Sequence, residues 1–226
     1  MLPGMIPIGV NGAINPMTAV SQIGFTEAFG FGSPSGVPAY PTGIKTGDFL
    51  LGLTNVGPDT TFRSASGFEN QWFYTNNGSS GLFTKIATGA ESGAIGGFTD
   101  YAYPLSEVCV LLRANVPIIR VTRVAGLYGG YRSNGQPTTL TIAGTTSNTG
   151  KPRLAIVAFA CDDTFSNANI VFNGTGFDST NYSVGTTLMK TRIAFWPAGT
   201  VGQDLSATKY DTGSDNAVFG AIFELN

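Results

Sequence analysis

The chain has 226 residues, of which 12% are charged, 42% are hydrophobic and none is histidine, and its formal net charge is −2. The charged share is about half the usual value of roughly 25%, and the scattered lysines and arginines form no basic stripe for nucleic acid. No apolar run approaches the ~20 residues of a membrane span. These features exclude nucleic-acid binding and membrane insertion, and they favour protein or glycan partners.

The first 36 residues differ in composition from the rest, because they are rich in Gly, Pro and Met and contain no Lys or Arg. We predict an N-terminal arm over residues 1–36 that packs on a neighbouring subunit or along its own domain. Asn15-Pro16 is typical of a helix N-cap followed by Pro at the first helical position, which predicts a short helix near 16–22. The apolar residues assigned to docking of the arm are Leu2, Met5, Ile6, Ile8, Phe25 and Phe29.

Residues 37–226 have the pattern of one β domain. Strand-like segments separated by Gly, Asn, Ser and Thr recur about every 10 to 15 residues, which predicts an antiparallel β-sandwich and most simply a jelly roll. A hairpin is predicted over 71–87, with its turn at 76–81. Alternation over 117–125 predicts a half-exposed strand with Arg120 and Thr122 facing solvent and Ile119 and Val121 on the other face.

The segment 154–161 has the sequence Leu-Ala-Ile-Val-Ala-Phe-Ala-Cys and lies between Pro152 and Asp162. This unbroken apolar run has the length of a strand and is rich in residues that favour extended backbone. Both of its faces should therefore be covered by protein. We predict that it is a central strand of the core.

Four short motifs follow one another in an order that resembles the β-sandwich domains of tailed-phage virion proteins. The motifs are Gly47-Asp48-Phe49-Leu50-Leu51, Phe83-Thr84-Lys85-Ile86, Thr139-Leu140-Thr141-Ile142 and the apolar strand 154–161. The resemblance covers about residues 40 to 226. It implies a non-enzymatic virion component exposed on the tail or the head.

The residue inventory argues against catalysis and against a cofactor. Without histidine the common Ser-His-Asp and Cys-His designs are excluded, as is the commonest ligand of transition metals. Cys109 and Cys161 lie in apolar strands, either as two buried free thiols or as a disulfide between core strands. Asp162 and Asp163 follow a strand end, where they either face solvent or contribute to a calcium site. We predict that the protein is not an enzyme.

Aromatic residues near the glycines at 129 and 130 suggest a second kind of function. We interpret Gly129-Gly130 as a loop, so that Tyr128 and Tyr131, with Arg132, could stack on and bind a sugar. In the other reading, alternate aromatic residues face the core and the rest cap it.

The leading hypothesis is a homo-oligomeric virion protein, made in the host cytoplasm, that assembles with copies of itself and with other virion proteins. The alternative is a carbohydrate-binding module that recognises a host surface glycan through Tyr128, Tyr131 and Arg132.

Overall fold

The computed structural model describes residues 16–29, 38–56, 65, 67–75, 79–96, 98, 106–132, 138–142, 150–161, 171–173, 178–185, 189–198, 205–209 and 216–226. Every regular element in these ranges is a β-strand. In chain order the strands are β1 (Val20–Phe29), β2 (Phe49–Val56), β3 (Glu69–Thr75), β4 (Ser79–Ile86), β5 (Ser106–Ala114), β6 (Val121–Arg132), β7 (Thr138–Ile142), β8 (Arg153–Cys161), β9 (Val171–Asn173), β10 (Asp178–Gly185), β11 (Met189–Trp196), β12 (Leu205–Lys209) and β13 (Asn216–Leu225).

The described strands form two five-stranded antiparallel sheets and one small sheet. The N-terminal sheet has the order β1-β5-β2-β4-β3, the C-terminal sheet has the order β10-β11-β8-β13-β6, and the small sheet has the order β7-β12-β9. The predicted all-β, antiparallel sandwich is confirmed. The first five strands all lie in one sheet and the strands of the other sheet all follow them. This order leaves the jelly-roll connectivity unconfirmed, since a jelly roll is built from two Greek keys.

The main core lies between the two large sheets and takes side chains from both. Phe49 of β2 meets Phe223 of β13 edge to face, with ring centroids 6.0 Å apart, and both rings are fully buried. Burying such a side chain contributes about 1.5–3 kcal/mol. Other members of this core are Leu51, Leu53, Leu82, Val108, Val110, Leu112, Leu154, Ile156, Ile193, Phe195 and Phe219.

Strand β8 lies at the centre of the C-terminal sheet, as its continuous apolar sequence predicts. It pairs with β11 on one side and with β13 on the other. Leu154, Ala155, Ile156 and Ala158 are all buried. The prediction of a central strand over 154–161 is confirmed.

The N-terminal sheet is buried on its outer face as well. Irregular segments within 38–48, 65–68 and 87–98 cover this face and form a second core with Leu50, Phe83 and Leu111. Cys109 lies in the same core as a free thiol, and burial raises the pKa of that thiol above its usual range, with a partial offset from the charge of Lys85. The predicted alternative of a disulfide between Cys109 and Cys161 is therefore wrong.

The predicted helix near 16–22 is wrong, because residues 16–19 are irregular and β1 begins at Val20. The Asn115 side chain holds this entry segment extended. Its Oδ1 accepts hydrogen bonds from the backbone N–H groups of Thr18 and Ala19 at 2.9 and 3.2 Å, and its Nδ2 donates to the carbonyl of Pro16 at 3.0 Å. The long-range partner outweighs the local helix-start signal.

Part of the predicted arm belongs to the sandwich. Phe25 and Phe29 lie in β1, which pairs with β5 along its length, so a boundary between arm and domain at residue 36 is wrong for residues 20–29. Leu2, Met5, Ile6 and Ile8 lie outside the described residues, and their docking role stays a prediction.

The predicted strand over 117–125 begins later than expected, at Val121. The backbone N–H groups of Ile119 and Arg120 both donate to the main-chain oxygen of Asn226, at 2.7 and 3.1 Å, which ties this irregular segment to the residue that follows β13. Ile119 is 78% exposed. The expected inward position of Ile119 is wrong because strand alternation does not apply before the strand begins.

Candidate functional site

The sandwich has two open sides, and each is bordered by one edge strand from each large sheet. Strands β1 and β10 lie next to each other on one side, and β3 and β6 do so on the other. Within the described part of the chain, none of the four strands has a partner strand of its sheet on its outer edge. Unpaired strand edges offer backbone donors and acceptors, so the two sides are the places to look for binding.

Strand β1 exposes two large apolar side chains. Ile23 and Phe25 are 43% and 42% exposed, and Phe25 pairs with the core residue Val110, which places Phe25 on the sandwich-facing surface of the sheet. The only charged residue of β1 is Glu27, and burial raises the pKa of its carboxyl group. This edge strand lacks the Lys and Pro residues that commonly prevent edge-to-edge pairing, and its pairing with β5 is regular from Gly24 to Phe29, after a register shift between Gln22 and Gly24.

The β3 side carries a groove of about 810 Å³. Its polar lining comes from Glu69 and Gln71 of β3, Thr84 of β4, and the segment 119–123 at the start of β6. Ile86 and Val121 supply apolar surface, and the fully buried ring of Phe49 lies beneath it. The groove therefore joins two sheets through residues that are about 35 to 50 positions apart in the sequence.

One wall of the groove is arranged by hydrogen bonds of Gln71. Its Nε2 donates to Thr84 Oγ1 at 2.8 Å and to Glu69 Oε2 at 3.5 Å. A register shift between Asn70 and Trp72 brings Gln71 to this position. Glu69 is exposed, so its carboxylate can accept further hydrogen bonds from a ligand.

The opposite wall carries two arginines, Arg120 and Arg123, both exposed. Among the described residues, neither guanidinium has an ion-pair partner. Lys85, the third cation in the lining, is already engaged, because its Nζ lies 3.3 Å from Glu91 Oε1 and 3.2 Å from the Tyr40 hydroxyl. In the part of the chain that the structure describes, the two arginines are therefore the cations of the groove that no carboxylate already holds.

Glu91 anchors Lys85 and the turn beside the groove. Its carboxylate accepts hydrogen bonds from the backbone N–H of Thr88 at 2.9 and 3.1 Å, from the Thr88 hydroxyl at 3.0 Å and from the backbone N–H of Gly89 at 2.9 Å. Burial alone would raise the pKa of Glu91, but these hydrogen bonds lower it to about 2. Lys85 also lies over the rings of Tyr40 and Phe68, at 5.2 and 5.9 Å from their centroids.

This lowered pKa predicts an acid-dependent contribution to stability. The folded state holds the Glu91 proton more weakly than the unfolded chain, so the contribution is present above the usual carboxyl pKa of about 4.5 and is lost as the pH falls towards about 2. Glu91→Gln should lower the free energy of unfolding by about 2 kcal/mol at pH 7. Urea unfolding from pH 7 to pH 3 should show this difference shrinking.

Glu27→Gln is the matched contrast for that measurement. Because burial raises the pKa of Glu27, the wild type should lose stability relative to this variant as the pH rises through that pKa. If the free energies of unfolding of the wild type and Glu91→Gln differ by a constant amount from pH 7 to pH 3, the Glu91 carboxylate does not stabilise the fold through its charge.

The tyrosine site expected from the sequence lies on strand β6. Tyr128, Tyr131 and Arg132 pair with Phe219, Ala217 and Asn216 of β13, and the register shifts at Gly129. The prediction that Gly129-Gly130 form a loop is therefore wrong. The side chains of Tyr128, Tyr131 and Arg132 lie outside what the structure describes. Tyr131 is eight residues beyond Arg123 on the strand, about 26 Å away, so it does not belong to the groove.

The weak calcium candidates, Asp162 and Asp163, lie outside the described residues. Within the described ranges, no three side chains among Cys, Asp and Glu gather where they could hold a metal ion. No helix in the same ranges has the length and apolar character needed to cross a membrane.

Sequence reasoning correctly placed Arg120 in solvent but missed Glu69, Gln71 and Thr84 as members of a site. The available signal was the cluster of polar residues at the start of β3, yet this cluster does not indicate which distant segment faces it.

Comparison with protein-family models, curated proteins and solved structures finds no match to this chain. The fold defines an antiparallel β-sandwich protein, and its function has to be argued from the two open sides.

Proposed function

We propose that this chain is a non-enzymatic virion structural protein, exposed on the tail or head of a tailed phage, that works by assembling with copies of itself. The proposal of a virion protein rests on the order of the motifs at 47–51, 83–86, 139–142 and 154–161. The observation that carries the assembly role is the edge strand β1, which exposes Ile23 and Phe25.

The geometry of β1 favours pairing with a second β1. The strand has ten residues, and antiparallel pairing of two copies would join two N-terminal sheets into one continuous sheet. The new contact would cover Ile23 and Phe25 and satisfy the backbone groups of the edge. A net charge of −2 opposes such an association only weakly.

The test is the mass of the full chain in solution, measured by light scattering after size-exclusion chromatography. We expect the wild type to be a defined oligomer and Phe25→Lys to be a folded monomer, because the change removes an apolar contact of the interface and puts a charge on the edge in its place. Ser21→Lys is the matched control, since it places the same charge at another exposed position of β1, and it should weaken association less.

A wild type that is monomeric over a wide range of concentration would overturn assembly through β1. Assembly through β1 would also be overturned if the Phe25→Lys variant formed the same oligomer as the wild type. Deletion of residues 1–15, which leaves β1 in place, separates a contribution of the predicted arm from that of the strand.

A further inference from the structure

We propose that the groove between β3 and the start of β6 binds an acidic saccharide, a polyhydroxylated ligand that carries carboxylate groups. The groove lies on the opposite open side of the sandwich from β1. The inference therefore stands independently of assembly through β1.

The dimensions of the groove fit a small ligand or a few units of a chain. Its volume of about 810 Å³ lies in the range of roughly 300–1,000 Å³ that is usual for small-molecule sites. Its residues come from strands of both sheets and from the segment that Asn226 holds in place through the backbone of Arg120. Such a site is largely formed before a ligand arrives.

The arginine wall supplies the recognition of negative charge. A guanidinium binds a carboxylate through two parallel hydrogen bonds, and Arg120 and Arg123 form no ion pair among the described residues. Two arginines and a single carboxylate, that of Glu69, line the described part of the groove besides Lys85, so the lining carries more positive than negative charge. The two arginines favour a ligand that carries carboxylates over a neutral one.

The opposite wall favours a saccharide over an acidic peptide. Glu69 has a carboxylate that accepts hydrogen bonds, and the hydroxyl groups of a saccharide can donate them, whereas the ionised side chains of an acidic peptide are acceptors only. Gln71 adds an amide group suited to a hydroxylated ligand, and its hydrogen bond to the buried Thr84 fixes the position of that group. Ile86 and Val121 provide apolar surface for the C–H groups of a sugar ring.

The experiment is calorimetric titration of the full-length protein with three probes: an oligogalacturonate, a neutral gluco-oligosaccharide of equal length, and poly-glutamate. We expect the oligogalacturonate to bind at least about tenfold more tightly than either of the other probes. Arg120→Gln and Arg123→Gln should each weaken that binding about tenfold or more. Lys45→Gln, which removes an exposed cation outside the groove, is the matched control and should leave it unchanged.

Glu69→Gln separates the two acidic ligand classes. It should weaken oligogalacturonate binding, because a charged acceptor for hydroxyl groups is replaced by a weaker, neutral one. It should not weaken the binding of poly-glutamate. No binding of oligogalacturonate, or an equal loss in Lys45→Gln, would overturn the proposal. Tighter binding of poly-glutamate than of oligogalacturonate would overturn it in favour of an acidic peptide. Circular dichroism of each variant checks that the fold is intact.

Discussion

An Arg113→Met variant is expected to lose about 3–5 kcal/mol of the free energy of unfolding, because it leaves a buried carboxylate without its cation. Asp48, just before β2, is buried. Arg113 of β5 donates from Nε to Asp48 Oδ1 at 2.7 Å and from Nη2 to Asp48 Oδ2 at 2.6 Å. The same Nη2 lies 2.6 Å from the carbonyl of Gly43, so one side chain ties the covering segment to the sheet.

Urea unfolding at pH 7 measures this effect, and a double variant tests its cause. If the cost comes from the uncompensated charge, Asp48→Asn combined with Arg113→Met should be more stable than Arg113→Met alone. Arg120→Met, at an exposed arginine, is the control and should change the free energy of unfolding by less than about 0.5 kcal/mol. An Arg113→Met protein as stable as this control would show that the ion pair does not hold the fold.

Gly52→Ala is the second change with a large expected effect. It should lower the free energy of unfolding by about 3 kcal/mol, because the added methyl group overpacks the core. Gly52 lies in β2 under the ring of Phe98, and a Cβ atom at this position would come 2.3 Å from Phe98 Cζ. The ring has little room to move, because it stacks on Phe83 with centroids 4.8 Å apart and meets Phe68 edge to face at 5.0 Å. The Phe98 backbone N–H also donates to Glu107 Oε1 at 2.9 Å.

Gly126→Ala is the matched control for Gly52→Ala, since a Cβ atom there would meet its nearest neighbour, the Gly220 carbonyl, at an ordinary 3.5 Å. Gly126→Ala should change the midpoint temperature of thermal unfolding little, whereas Gly52→Ala should lower it clearly. Combining Gly52→Ala with Phe98→Ala should cost less than the two single changes added together, because the new methyl group enters the space that the ring vacates. Strict additivity would contradict the packing explanation.

The strand pattern was predictable where local sequence and burial agree. The continuous apolar run at 154–161 indicates a strand covered on both faces, and β8 has that position. The hairpin of β3 and β4 was predictable from its turn sequence, but the turn is shorter than predicted, because residues 79–81 pair with β3 as part of β4. Those predictions succeed because side-chain alternation, apolar runs and turn residues are local properties that the fold preserves.

The predictions failed where a distant partner outweighs a local signal. The residues after Pro16 start a strand because Asn115, far along the chain, holds them extended. Gly129 lies within β6 because β13 continues to pair on both sides of it. In both cases the deciding hydrogen bonds join segments about a hundred residues apart, which no local pattern encodes.

By itself, the sequence of this protein determined an all-β chain of low charge with a buried central strand and no histidine chemistry, since composition and periodicity are properties of the chain alone. Only the tertiary structure decided that the Phe25 side chain is partly exposed to solvent. It also decided which residues line the groove together with Arg120 and Arg123. The physical reason is that an open side of a sandwich exists only after two sheets have packed. The edge strands that border it, β3 and β6, are neighbours in space but not in sequence.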